Sequence, residues 1–285
     1  MAEVEMLELL QKNDKNDVAN VVHMKEHFHF RNHLCITFDL MGKDLFTAME
    51  ERGFKGLSTS QVRSHAVPLL RSLQFLSRTG IIHCDLKPGN ILVSKDDPKV
   101  IKVADFGASR LEHLNTYPVI QTMPYKSPEV VLHNAYTKAI DMWSLGCILA
   151  ELKTGNALFD VDHDSVLLKQ MIRVINKYQE GPRKSSRKTM RILSEILDTE
   201  NKLFLNFIQR CLIYDPAKRM TPDEAIQHLW IQEHFQRPVT SCVSAPAEST
   251  SKAEQIPSGT RGSRRVGVPN KGRNAMRTFI VYETK

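Results

Sequence analysis

The chain has 285 residues, 41% of them hydrophobic and 25% charged, an ordinary globular composition with enough length for one large domain or two small ones. No stretch approaches the run of about 18 apolar residues that a membrane span needs, and the start Met1-Ala2-Glu3-Val4-Glu5 lacks the layout of a signal peptide, so the sequence reads as intracellular, in cytoplasm or nucleus, with no membrane partner. The net charge of +7 sits mostly in residues 237–285, which hold nine Lys/Arg against three Asp/Glu, and the remainder carries no nucleic-acid signature.

Val4, Leu7 and Leu10 recur at helical spacing within residues 2–11 and predict one helix, followed by an Asn/Asp-rich loop to Asn20. Residues 21–30 and 34–40 read as two strands joined at Arg31-Asn32-His33. A lone hairpin is marginal in water. Two open strand edges and a half-covered Val4, Leu7 and Leu10 face therefore predict a loose upper lobe prone to self-association. From Ser60 to Gly80, Val62, Ala66, Leu69, Leu70, Leu73 and Leu76 form a helical stripe, with a kink or late start expected at Pro68.

Residues 140–152 are apolar on nearly all sides and end at Thr154-Gly155, which predicts a buried central helix with a glycine cap. Residues 177–188 read as a short basic loop. Leu203, Phe207, Ile208, Cys211 and Leu212 make a further helical stripe. The capping box Thr221-Pro222-Asp223-Glu224 then starts a helix expected to run through about Ile231. Beyond Arg237-Pro238 the composition is rich in Ser, Thr, Pro, Gly and Arg and reads as mostly disordered. Within it, only residues 279–282 could pair as a strand.

The chemistry-bearing text is His83-Cys84-Asp85-Leu86-Lys87-Pro88-Gly89-Asn90, then Asp105-Phe106-Gly107, then Ser127-Pro128-Glu129. In this order the three segments fit the catalytic loop, the magnesium-binding motif and the motif closing the activation segment of protein kinases, with Cys84 in place of arginine. Phosphoryl transfer asks for an oriented hydroxyl, an in-line phosphate and cations over the developing charge. Asp85 is placed to accept the proton of a Ser or Thr hydroxyl, Asn90 and Asp105 to hold magnesium ions, and Lys87 to neutralise the transferring phosphate.

Residues 2–236 resemble the dual-specificity tyrosine-regulated kinase (DYRK) family of the CMGC group. The resemblance rests on Phe30-Arg31-Asn32-His33-Leu34-Cys35, the catalytic-loop text with Cys84, the run from Ile140 through Asp141-Met142-Trp143-Ser144 to Leu149, and Tyr214-Asp215-Pro216-Ala217-Lys218-Arg219. It implies an α+β, protein-kinase-like fold whose N-lobe is truncated to one helix plus a β-hairpin (residues 1–40). That remnant sits on a mainly helical C-lobe (41–236) with a basic tail (237–285). It also implies protein substrates, with ATP and Mg as cofactors.

By the same resemblance Phe38 guards the back of the nucleotide pocket, Asp39 to Met41 form the hinge that reads adenine, Asp44 reaches the ribose and Leu92 is the floor. Asp141 anchors the catalytic-loop backbone, and Glu129 pairs with Arg219. Leu7, Met24, His83 and Phe106 stack as a spine, and Glu3 stands where family members carry the helix glutamate that meets a lysine.

Several positions depart from the family. No glycine-rich loop or Val-Ala-Ile-Lys segment occurs in these 285 residues. Where the family has its activating Tyr-x-Tyr the chain reads Tyr117-Pro118-Val119, and Met123 and Lys126 replace the arginines that would hold a phosphotyrosine, so no tyrosine switch is expected. Gly89 replaces a glutamate. Two readings follow: a protein serine/threonine kinase whose first strands are encoded upstream, or a non-catalytic, kinase-like interaction module.

Other signals stay bland. His23, His27, His29 and His33 read as a solvated strand face rather than a metal site, and the basic run from Arg261 to Arg277 as a solvated tail. Five unpaired-looking cysteines, Cys35, Cys84, Cys147, Cys211 and Cys242, argue for free thiols rather than a disulfide framework.

Overall fold

In a computed structural model, which describes residues 3–31, 33–114, 120–175, 182–235 and 278–283, the chain opens on helix α1 (Glu3–Asn13). Its face of Val4, Met6, Leu7 and Leu10 is buried, in the same core as Ile36, Phe38 and Phe106. The half-covered face expected from the sequence is thus corrected: Leu7 and Leu10 have no exposed surface. Strands β1 (Met24–Phe30) and β2 (His33–Phe38) form the expected antiparallel hairpin, with Phe30 opposite His33.

Helix α2 (Leu45–Glu51) follows, and α3 (Thr59–Thr79) begins at a capping box made by Ser58 and Gln61 and ends at Gly80, whose φ of 69° needs no Cβ. Pro68 lies inside α3, so the helix does not start late. The roughly 3 kcal/mol an interior proline costs is offset by burial of Val62, Ala66, Leu69, Leu70, Leu73 and Leu76 along one face. Four short strands then frame the loops that carry chemistry. β3 (Ile81–Ile82) pairs with β6 (Arg110–Leu111), and β4 (Ile91–Val93) with β5 (Ile101–Val103), both antiparallel.

Helices α4 (Pro128–Val131), α5 (Ala139–Thr154), α6 (Asp164–Ile175), α7 (Pro182–Ile196), α8 (Lys202–Cys211), α9 (Pro222–Ile226) and α10 (Leu229–Gln232) complete the lower lobe. Every residue of α5 from Ile140 to Leu152 is buried, and Gly155 caps it at φ 85°. A Cβ on Gly146 would stand 2.8 Å from Cys211 Cβ, which is how closely α8 lies against α5.

Two expectations are corrected here. Residues 182–188 of the basic stretch are helical, because Pro182 suits the first helical position and the helix goes on to the buried Leu193; residues 176–181 lie outside the described residues. The helix expected through Ile231 breaks at His228. That residue is the N-cap of a new helix, its side chain accepting from Trp230 N.

The final described element is β7 (Thr278–Glu283), which pairs antiparallel along β2, so the sheet order is β1-β2-β7. The strand anticipated at residues 279–282 therefore exists, and of the two hairpin edges expected to be open, the one on β2 is closed. The remainder of the predicted disordered tail lies outside the described residues. No described helix is long and apolar enough to cross a membrane.

Candidate active site

The loop after β3 turns on two residues in the left-handed region, Cys84 at φ 67° and, after β5, Asp105 at φ 63°. Non-glycine residues persist there only when their surroundings over-determine them, and the contacts are on hand. Asp141, from the buried wall of α5, accepts His83 N at 2.8 Å and Cys84 N at 3.2 Å. Burial pushes the Asp141 carboxyl up from its ordinary value, while those two N–H donors pull against it.

His83 stands between the two loops. Its Nε2 meets Ala104 O at 3.0 Å and its Nδ1 accepts Asp85 N at 3.2 Å, which together assign the ring proton to Nε2. Phe106 packs edge-on to it with centroids 5.1 Å apart, and Leu7 and Met24 belong to the core that holds Phe106. The Cys84 thiol is fully buried and pushed far above its ordinary range by that burial, with Asp141 adding to the effect, so it is a packing group rather than a nucleophile.

These contacts hold the Asp85 carboxylate by both oxygens. Oδ2 accepts from Lys87 Nζ at 2.6 Å and from Asn90 Nδ2 at 3.3 Å. Oδ1 accepts from Thr122 Oγ1 at 2.6 Å and Thr122 N at 3.1 Å, and Lys87 Nζ also reaches Thr122 Oγ1 at 3.2 Å. Asn90 spends its NH2 on Asp85, the backbone O included at 2.9 Å, which leaves its amide oxygen as the atom it can offer a cation. Sequence reasoning missed Thr122. It lies in a separate segment, and nothing in its local pattern marks it.

A cavity of about 110 Å3 opens beside Asp105, lined by Val22, Phe38, Asp39, Leu40, Met41, Gly42, Leu92 and Ala104. Four of the five pocket residues expected from the sequence meet here. Asp44 does not line the cavity: its carboxylate caps α2, Oδ1 accepting Thr47 N at 2.9 Å and Oδ2 accepting Thr47 Oγ1 at 2.8 Å. Asp39 pairs with Lys25 on β1. The apolar walls suit a flat ring, and the oxygen donors Asp105 and Asn90 are of the type that magnesium takes. Glu3 is 9% exposed and its Oε1 accepts Phe106 N at 3.2 Å, so α1 is tied to the Asp105-Phe106-Gly107 segment.

Away from the cavity, Arg219 and Glu129 form a fully buried fork-to-fork pair, Nη1–Oε1 at 2.6 Å and Nη2–Oε2 at 2.8 Å. Arg219 also donates to Ile213 O, Ala139 O and Tyr214 O and lies 5.2 Å over the Trp143 ring. Of the positions where the family has arginines, Lys126 is buried and bonded to Asp164 at 2.9 Å, and Met123 packs on the core. Tyr117 lies outside the described residues. His27 and His29 are exposed, whereas His23 is not on the strand at all: it lies against Asp14 at 3.1 Å and Asp17 at 3.7 Å.

A small strand-and-helix part beside a mainly helical one, with a gripped aspartate in the loop after β3 and Asp105 at a cavity, is the arrangement of a protein kinase domain. The protein kinase domain family matches residues 1–231, and the chain belongs to it. Among curated relatives, it is 42% identical over 257 residues to dual specificity tyrosine-phosphorylation-regulated kinase 4 of Homo sapiens, a match covering 82% of this chain and 49% of that one. It is 37% identical over 280 residues to kinase 2 of the same series from Drosophila melanogaster (90% and 39%). To kinase 3 from Homo sapiens it is 36% identical over 280 residues (84% and 48%). The chain thus spans about half the length of these relatives, or less.

Proposed function

We propose that this protein is a serine/threonine kinase that transfers the γ-phosphoryl group of ATP to hydroxyls of protein substrates. The observation that carries the reading is the grip on Asp85, whose two carboxylate oxygens are each held by neighbours while the group stays partly open to solvent. Held in this way, Asp85 accepts the proton as the substrate oxygen bonds to phosphorus and the bond from the γ-phosphorus to the bridging oxygen breaks, releasing ADP. Lys87, 2.6 Å from Asp85, is placed to offset the negative charge that approaches it. Asp105 and Asn90 would hold magnesium, which supplies neutralisation of the phosphate charge. Adenine would lie between Val22 and Leu92, against Phe38 and the backbone of residues 39–41.

A second reading, a kinase-like interaction module, is favoured by the size of the cavity. At about 110 Å3 it is small beside the roughly 300–1,000 Å3 of ordinary ligand pockets, enough to enclose a base but not a whole nucleotide.

The test is transfer of label from γ-labelled ATP to Ser-, Thr- and Tyr-containing peptides by the wild type and by Asp85→Asn. A general base contributes about 10²- to 10⁴-fold, so the kinase reading predicts a loss on that scale with Ser or Thr acceptors. Equal rates in the two proteins would overturn the assignment, and no transfer by the wild type would favour the module.

A further inference from the structure

Strand β7 comes from the far end of the chain yet lies on the strand that forms the back of the cavity. Its register runs from His33 opposite Glu283 to Phe38 opposite Thr278, an unbroken match of six residues on each side. Thr278-Phe279-Ile280-Val281-Tyr282 is β-branched or aromatic at every position, the composition that favours strands. It stands apart from the Ser-, Gly- and Arg-rich text before it. Residues 236–277 lie between α10 and this strand, and 42 residues reach at most about 140 Å, far more than a small domain needs to be crossed.

We propose that residues 278–283 act in cis as an added strand that fixes β2 and, through it, the wall of the nucleotide cavity. β2 runs into that wall directly, because Phe38, opposite Thr278, is followed by Asp39, Leu40, Met41 and Gly42, all lining residues. On its other side β2 pairs only with β1, whose side chains beyond Met24 are exposed, so without β7 the sheet beside the wall would be a two-stranded hairpin, marginal by its own pairing. Main-chain pairing supplies the hold, as in strand addition generally. Tethering also raises the local concentration of the strand over that of a separate peptide. The consequence for nucleotide rests on the kinase reading above; the pairing itself does not.

The experiment is hydrogen exchange on the full chain and on two variants, Ile280→Pro and Val281→Pro. Backbone N–H groups alternate sides along a strand, so one of these two prolines removes a donor that faces β2 whichever way β7 is turned. In that variant, amides of His33–Phe38 are expected to exchange about tenfold faster or more, while those of α5 keep their wild-type rates. A synthetic peptide of residues 277–285 added in trans restores the protection. Unchanged exchange of β2 in both variants would overturn the proposal. So would protection of β2 that appears only in a dimer and falls on dilution, since the strand would then come from a second copy. Titration of Mg-ATP on the same proteins separates the two claims: the sensitive variant is expected to bind several-fold more weakly. If the wild type binds no nucleotide, the kinase reading fails while the exchange result still decides the fate of the strand.

Discussion

Thr122 donates its hydroxyl to Asp85 Oδ1 at 2.6 Å across 37 positions of sequence. The bond locks the carboxylate against the segment that leads to α4. Thr122→Ala deletes it and leaves only the backbone N–H. A hydrogen bond to a charged group is worth about 1.5–3 kcal/mol, which converts to roughly 10- to 100-fold in kcat/KM. Thr122→Ser should retain most of the activity. Peptide phosphorylation by both variants checks this, and an Ala variant as fast as wild type would remove Thr122 from the site.

The buried pair of Arg219 and Glu129 ties the turn before α9 to α4. Deleting one partner strands a charge with no water to receive it, at a cost of about 3–5 kcal/mol. Glu129→Ala should therefore lower the denaturation midpoint sharply, more than a change at an exposed pair such as Arg78 with Asp223. Denaturant titration of E129A and D223A, read by circular dichroism, makes the comparison. Equal midpoints would contradict it.

Asp141 offers two acceptor oxygens to two N–H groups. Asp141→Asn keeps one and turns an NH2 toward the other, so a loss of about 1–3 kcal/mol is expected. The folded carboxyl sits above its ordinary value because it is buried. The folded state thus holds its proton to higher pH than the unfolded chain, and the group's contribution to stability is greatest below the ordinary carboxylate value. It declines as pH rises through the window up to the raised folded value and is flat above. The stability gap between wild type and D141N, followed by thermal melts across that window, should shrink with rising pH; a gap that widens would contradict the direction.

Much of the site is legible in the sequence because its parts are local. Asp85, Lys87 and Asn90 lie within one loop, Asp105 and Phe106 in another, and the spacing between them fits short antiparallel strands. The buried stripe of α3, the all-apolar α5 and the glycine caps could be read for the same reason. What could not be read depends on partners remote in sequence. Thr122 gains its place only when its segment folds onto Asp85. The cover over Val4, Leu7 and Leu10 is invisible to helical periodicity, and the end of the chain had to be seen beside β2 before its strand-forming text had a meaning. Asp44 carries a role that the motif reading did not show: both its oxygens cap α2, which local sequence also favours.

The central claim is that Asp105 and the cavity beside it form a magnesium-nucleotide site, and the most direct measurement is calorimetric titration of ATP into the 285-residue chain, with and without magnesium, for wild type and Asp105→Asn. The account predicts saturable binding. That binding should require magnesium and weaken at least about tenfold, or 1.4 kcal/mol, in D105N, with the thermal midpoint preserved. Binding of equal strength in D105N, or binding indifferent to magnesium, would contradict it.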